Sequence, residues 1–270
     1  MEIVIEKGMI ERQYWRDLWR YRELLVFLAW RDILVRYKQT AIGVSWAVIR
    51  PLLTMLVLTV VFGWVAKMPS GSDPYPVLVF SAMLPWQFFA GAFSDSGSSL
   101  IANSGMISKI YFPRMIIPVS SVITSLVDFL ISFFLLLCLM GFYGCAIHRS
   151  FLCLPIFVML AIGTALGAGL WVSSLMVKYR DFRYIIPFVV QFGLYVSPVG
   201  FSSKVIPEEW RIIYSLNPMV CVIDGFRWSI LGGEAPFIPS LIFTTVMIII
   251  IIASGIRYFR STEKTFADMI

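Results

Sequence analysis

Apolar and polar positions divide this chain into a charged first forty residues and then a series of long apolar runs separated by short polar turns. At about 20 apolar residues per bilayer crossing, the runs predict six spans, at roughly 44–66, 76–101, 115–143, 151–177, 184–201 and 237–258. The second run is polar in its latter half, Ser94-Asp95-Ser96-Gly97-Ser98-Ser99. Such a segment crosses a membrane only where that face looks into protein or water. Between the last two runs, 203–235 is punctuated by Pro207, Asn217-Pro218, Asp224, Arg227 and Gly232-Gly233. The pieces between these breaks, 210–216 and 219–231, are too short to span. They predict either a helix pair re-entering from the outer face or helices lying flat on the outer leaflet. The apolar character of Met219, Val222, Ile223, Phe226 and Ile230 favours re-entry.

Residues 1–40 follow a different pattern. Their longest apolar run, 24–30, is too short to cross and lacks a small-residue cleavage site, so no signal peptide is expected. Tyr14, Trp15, Leu18 and Trp19 share one helical face, with Arg12, Arg16, Arg20 and Glu23 turned away. This is the pattern of a helix at the membrane interface. After Leu24 the pattern blurs, with Phe27, Trp30, Ile33 and Leu34 spread around the helix. The arm reads equally as an anchor in membrane lipid or as a docking surface. The chain thus divides into an arm, 1–40, and one six-span domain, 41–270.

Charge sets the orientation. With the N-terminus in the cytoplasm, 17 of the 22 Lys and Arg residues fall inside, including Arg50, Lys109, Arg114, Lys178, Arg180, Arg183 and Arg257. Only Lys67, Arg149, Lys204, Arg211 and Arg227 fall outside. That asymmetry predicts both ends in the cytoplasm. The net charge of +6 is therefore a matter of topology and does not suggest a nucleic-acid partner.

Composition agrees: of 270 residues, 59% are hydrophobic and 14% charged, against about 25% charged in soluble domains. One histidine, His148, leaves little for acid–base catalysis or metal binding. Cys138, Cys145, Cys153 and Cys221 have no CxxC spacing, so no zinc or redox site is expected; Cys145 and Cys153 would pair only in an oxidising compartment. No GxxxxGK[ST] occurs, so any ATP would be bound by another chain and no cofactor of its own is expected.

Several segments together resemble the membrane subunit of ABC-2 type polysaccharide exporters, which move O-antigen, capsule or teichoic acid chains. They are Arg36-Tyr37-Lys38-Gln39-Thr40 with Gly43, Trp46 and Pro51, then Lys178-Tyr179-Arg180-Asp181-Phe182-Arg183, Ser197-Pro198-Val199, and Asn217-Pro218 with Arg227. Ala41-Ile42 stands where the family usually has a residue followed by Leu. The resemblance implies an all-α integral membrane protein without its own ATPase site. It also implies a homodimer that pairs with two copies of a separate ATPase and passes a lipid-linked polysaccharide. An ABC-2 exporter of a drug or small lipid is the alternative. A membrane enzyme acting on polyprenyl-phosphate sugars is a third reading, opposed by the lack of a DxD motif and of further histidines.

Candidate site residues fall into three groups. Sugars offer apolar faces to flat rings, which makes Trp46, Trp86, Phe188, Phe192, Tyr195 and Phe201 candidates for a substrate channel. Phe188, Phe192 and Tyr195 form one helical stripe. Arg50, on the first span, either snorkels to the interface or meets a phosphate. Segment 103–113 predicts a short cytoplasmic helix, capped by Asn103 or Ser104 and stopped at Pro113. Met106, Ile107, Ile110 and Tyr111 form its apolar face, beside Lys109. By resemblance this is the element that docks the ATPase, with Asp181 as a second contact; the other reading lays it on the inner leaflet. Asp95 and Asp128 are intramembrane acids. For Asp128 a structural hydrogen bond to a neighbouring helix competes with proton coupling.

Overall fold

The computed structural model describes residues 11–38, 45–69, 73–233 and 235–266; Gln39, Thr40, Ala41, Ile42 and Gly43 of the expected entry into the first span lie outside them. Among the described residues the protein is all-α. The arm forms α1 (Glu11–Arg20) and α2 (Arg22–Lys38). Five helices are long and apolar enough to cross a membrane. The first is α3 (Ser45–Leu58) continued by the π-helical Thr59–Val65; α4 (Tyr75–Ala102) follows. After the single turn α5 (Ser104–Ile107) come α6 (Ile116–Tyr143) and α7 (Leu154–Lys178), the latter preceded by a 3-10 turn. The remaining elements are α8 (Phe182–Val196), α9 (Glu208–Tyr214), α10 (Pro218–Leu231) and α11 (Ile238–Glu263).

The helix expected at 184–201 is shorter than its apolar run. α8 has 15 residues, about 22 Å at 1.5 Å per residue, and is the shorter apolar helix beside the five long ones. Pro198 is the cause. The residue before a proline is driven out of the helical region, and Ser197 is extended at φ −89° and ψ 151°.

α4 is the central helix, covered by α6, α7 and α10. Most of its side chains from Val77 to Trp86 are buried. α7 runs along α11, with Gly163 and Gly167 against Ile248, Ile251 and Ile252. Small residues allow such close approach, which matters in a bilayer because lipid provides no hydrophobic push between helices.

The two short helices before α11 are not equivalent. Asn217 caps α10, its Oδ1 accepting from the Met219 N–H at 3.0 Å, with Pro218 at the first turn. Val222, Ile223, Phe226 and Ile230 of α10 have no measurable exposure. Phe226 meets Phe129 and Phe133 of α6 edge-on, with centroids 5.9 and 6.3 Å apart. α10 is thus packed inside the bundle, whereas Trp210 and Ile213 of α9 are exposed.

The arm is more firmly docked than an interfacial anchor requires. α2 packs along α6. Leu28 is 1% exposed and joins Leu100, Ile107, Phe112, Met115 and Phe259 in a second apolar cluster. Arg260 of α11 lies over the Tyr14 ring at 4.7 Å. Trp19, Val26, Phe27 and Trp30 remain exposed on the opposite side.

Candidate functional site

Three features that stand apart in the sequence meet in one place. Between α4 and α6, the arm's Arg36 reaches the two intramembrane acids. Its Nη2 donates to Asp95 Oδ2 at 2.7 Å, and its Nη1 donates to Asp128 Oδ2. Tyr37 O–H donates to the other oxygen, Asp128 Oδ1, and Ser125 Oγ lies 3.3 Å from Asp95 Oδ2. Burial, then the bond to Asp128, holds the Tyr37 phenol above its ordinary range, so it stays a donor. Asp128 is thus hydrogen-bonded to two side chains of the arm.

This cluster forms part of the wall of a cavity of about 700 Å³. Trp46, Arg50 and Trp86 line it, together with Gln87, Ser94 and Ser132. A cavity of that size accommodates a few sugar residues or a head group, and its wall mixes aromatic faces, hydroxyls, carboxylates and two guanidiniums. Trp86 is held against Phe89 at 5.6 Å. It fits because α8 carries no side chain at Gly193, where a Cβ would stand 2.5 Å from the indole Cη2.

The other expected channel aromatics lie elsewhere. Phe188, Phe192 and Tyr195 form the predicted stripe, with Phe188 and Phe192 stacked at 5.9 Å. Each is about 60% exposed on the isolated chain, while α8 faces the cavity with Val190 and Leu194. Phe201 is half-buried, and its carbonyl accepts from Arg227 Nη1 at 3.1 Å.

Arg227 is more than half of a local pair. Its Nη1 is 3.9 Å from Asp224 Oδ1, but Nη2 donates to the Pro198 carbonyl at 2.8 Å. The Tyr75 hydroxyl donates to the Gly200 carbonyl at 2.7 Å. Proline stops α8, and these two side chains satisfy the carbonyls that the turn leaves open. Arg227→Met should therefore lower stability by about 2–3 kcal/mol through unsatisfied buried carbonyls. Thermal unfolding in detergent checks this; an unchanged midpoint would show that the turn holds itself.

Segment 103–113 differs from its expected form. α5 is a single turn, and Asn103 does not cap it. Its Oδ1 accepts from Arg31 Nη2 at 2.8 Å, and its Nδ2 donates to the Ser99 carbonyl at 2.9 Å. Ile107 is turned into the cluster under the arm and is 6% exposed. Ser104 and Met106 are half-buried, while Lys109, Ile110 and Tyr111 are exposed. The apolar surface is thus the Ile110-Tyr111 pair, because one turn cannot place 106, 107, 110 and 111 on a single free face. Asp181 is exposed and immediately precedes α8. All four cysteines are free.

Sequence alone assigns no site role to Arg36 or Tyr37. A signal for them existed: carboxylates inside a membrane need a cation, and Arg36 lies in the last turn of the basic arm helix.

Comparison with known proteins agrees with this architecture. A family model described as ABC-2 type transporter matches residues 23–231. The chain is 27% identical over 251 residues to an O-antigen export system permease protein RfbA of Klebsiella pneumoniae, covering 92% of this chain and 95% of that one. It is 25% identical over 257 residues to the protein of the same name from Myxococcus xanthus, covering 94% and 98%. Against the polysialic acid transport protein KpsM of Escherichia coli it is 22% identical over 239 residues, covering 87% and 91%. With five helices among the described residues long and apolar enough to cross a membrane, a shorter apolar helix beside them and a family match over most of its length, this chain belongs to the ABC-2 type transporter family of membrane proteins.

Proposed function

We propose that the chain is the membrane subunit of an ATP-driven exporter of a lipid-linked polysaccharide. It works as a homodimer with two copies of a separate ABC ATPase, in the inner membrane of a bacterium with both termini in the cytoplasm. The observation that carries this reading is the near-complete coverage, on both sides, of relatives named as O-antigen export permeases. The cavity supports it chemically. Trp46 and Trp86 offer flat faces for sugar rings, Gln87 and Ser94 offer hydrogen bonds, and Arg50 offers a guanidinium for a phosphate. The exposed Phe188, Phe192 and Tyr195 stripe is a surface that a second copy would enclose as a channel wall.

The test is co-expression with the candidate ATPase, purification through a tag on the permease, and measurement of ATP hydrolysis with added glycolipids. A stable complex whose hydrolysis rises with lipid-linked polysaccharide is expected. A permease that purifies alone under every condition would overturn the reading. Ile110→Asp with Tyr111→Asp should reduce ATPase recovery at least tenfold, because burying either carboxylate in an apolar groove is costly. The permease itself should remain monodisperse on size exclusion. Undiminished recovery would move the docking surface elsewhere.

A further inference from the structure

Arg36 has a consequence beyond holding the arm in place. Arg36, Asp95 and Asp128 are each about a third exposed, and the face they leave open is the cavity. Ion pairs of that exposure contribute little to stability. Charges on a cavity wall between membrane helices are poorly screened, however, and act on whatever enters. The wall carries two cations, Arg36 and Arg50, and two anions, Asp95 and Asp128. Arg36 is committed to both acids, and among the described residues no carboxylate pairs with Arg50.

We propose that Arg36 is the specificity-setting residue of this cavity: by cancelling charge on Asp95 and Asp128, it leaves Arg50 able to bind the pyrophosphate anion of a lipid head group. This deepens the exporter reading and rests on it. Without Arg36 the wall carries one excess negative charge and disfavours a pyrophosphate. Without the two acids it carries two positive charges and favours one. Arg36 acts through the field it sets, and Arg50 makes the contact.

The experiment uses the full chain in nanodiscs of uncharged lipid and measures the Kd of inorganic pyrophosphate by equilibrium dialysis, without the ATPase. Four proteins form a charge series: Arg36→Gln, wild type, the triple variant Arg36→Gln/Asp95→Asn/Asp128→Asn, and the double variant Asp95→Asn/Asp128→Asn. Affinity should rise in that order, by about tenfold for each unit of charge. The triple variant holds no uncompensated carboxylate, so it keeps the test open if Arg36→Gln alone fails to fold. Adding Arg50→Gln should remove binding in every background. Isoprenoid pyrophosphate placed in the nanodisc, but not isoprenoid alcohol, should displace the probe.

A purely structural pair would instead lower the melting temperature of the variants while leaving their affinities alike. Affinities that do not follow charge, binding that survives Arg50→Gln, or no binding even by the double variant would each overturn the proposal. Probe that isoprenoid pyrophosphate cannot displace would overturn the lipid head group as occupant. Because binding is read without the ATPase, failure here is distinct from failure to recover a permease–ATPase complex.

Discussion

Gly225→Leu is expected to leave almost no correctly assembled protein in the membrane. Gly225 lies on α10 where that helix crosses α7, and a Cβ placed there would stand 1.8 Å from Cε1 of Phe157. Phe157 is 2% exposed, and Phe226, the next residue on α10, is packed against Phe129 and Phe133. Neither side of α10 can move without displacing a ring. Overpacking of a well-filled core costs about 1–3 kcal/mol, and here a four-carbon side chain enters space already occupied, so the loss should exceed about 3 kcal/mol. Yield in the membrane fraction and thermal unfolding in detergent report it. Adding Phe157→Ala should recover part of the loss by returning the volume. A stable Gly225→Leu protein would show that α10 does not pack against α7 as described.

The second large effect concerns transport. Arg50→Gln should lower export at least a hundredfold while leaving assembly and ATPase recovery unchanged. Arg50 is exposed on α3 and lines the cavity; no carboxylate among the described residues depends on it for pairing. Its removal therefore costs the fold little. It removes the guanidinium that the cavity offers to a phosphate, and a bidentate contact of that kind is not replaced by an amide. Export in cells lacking the native subunit, scored by surface polysaccharide, measures the effect. Arg50→Lys should restore part of it, since charge is kept and the fork is lost. Full export by Arg50→Gln would reassign Arg50 to snorkelling at the interface.

The two predictions draw on different levels of the molecule. Gly225 is silent in the sequence, since a glycine inside an apolar helix carries no signal of what it faces. The ring at Phe157 that requires it is 68 residues away on another helix. Arg50 could be singled out from sequence because a cation beside an apolar run is costly wherever it lies. The same logic marked Asp95 and Asp128, but it did not pair them. Asp128 is 92 residues from Arg36, and no local periodicity links a charged arm to the middle of the third apolar run. The aromatic candidates divided for a similar reason. A stripe at i, i+4 and i+7 marks one face of α8, yet whether that face meets a cavity, lipid or a second copy depends on how α8 is rotated against α4.

Sequence alone determined that this is an all-α membrane protein, where its long helices run, where α10 starts, and which two acids lie inside apolar helices. These are local consequences of hydrophobic length, capping chemistry and the cost of charge in a bilayer, and each is complete within about twenty residues. Tertiary structure alone decided that α10 is packed against α4 and α7, with the Phe226 ring against α6. It also decided that Ile107 turns inward while Ile110 and Tyr111 do not, and that Arg36 sits between Asp95 and Asp128 on the wall that Arg50 shares. Those outcomes depend on helix rotation and on contacts between segments far apart in the chain, where many packings satisfy the same apolar pattern and only steric fit and charge pairing choose among them.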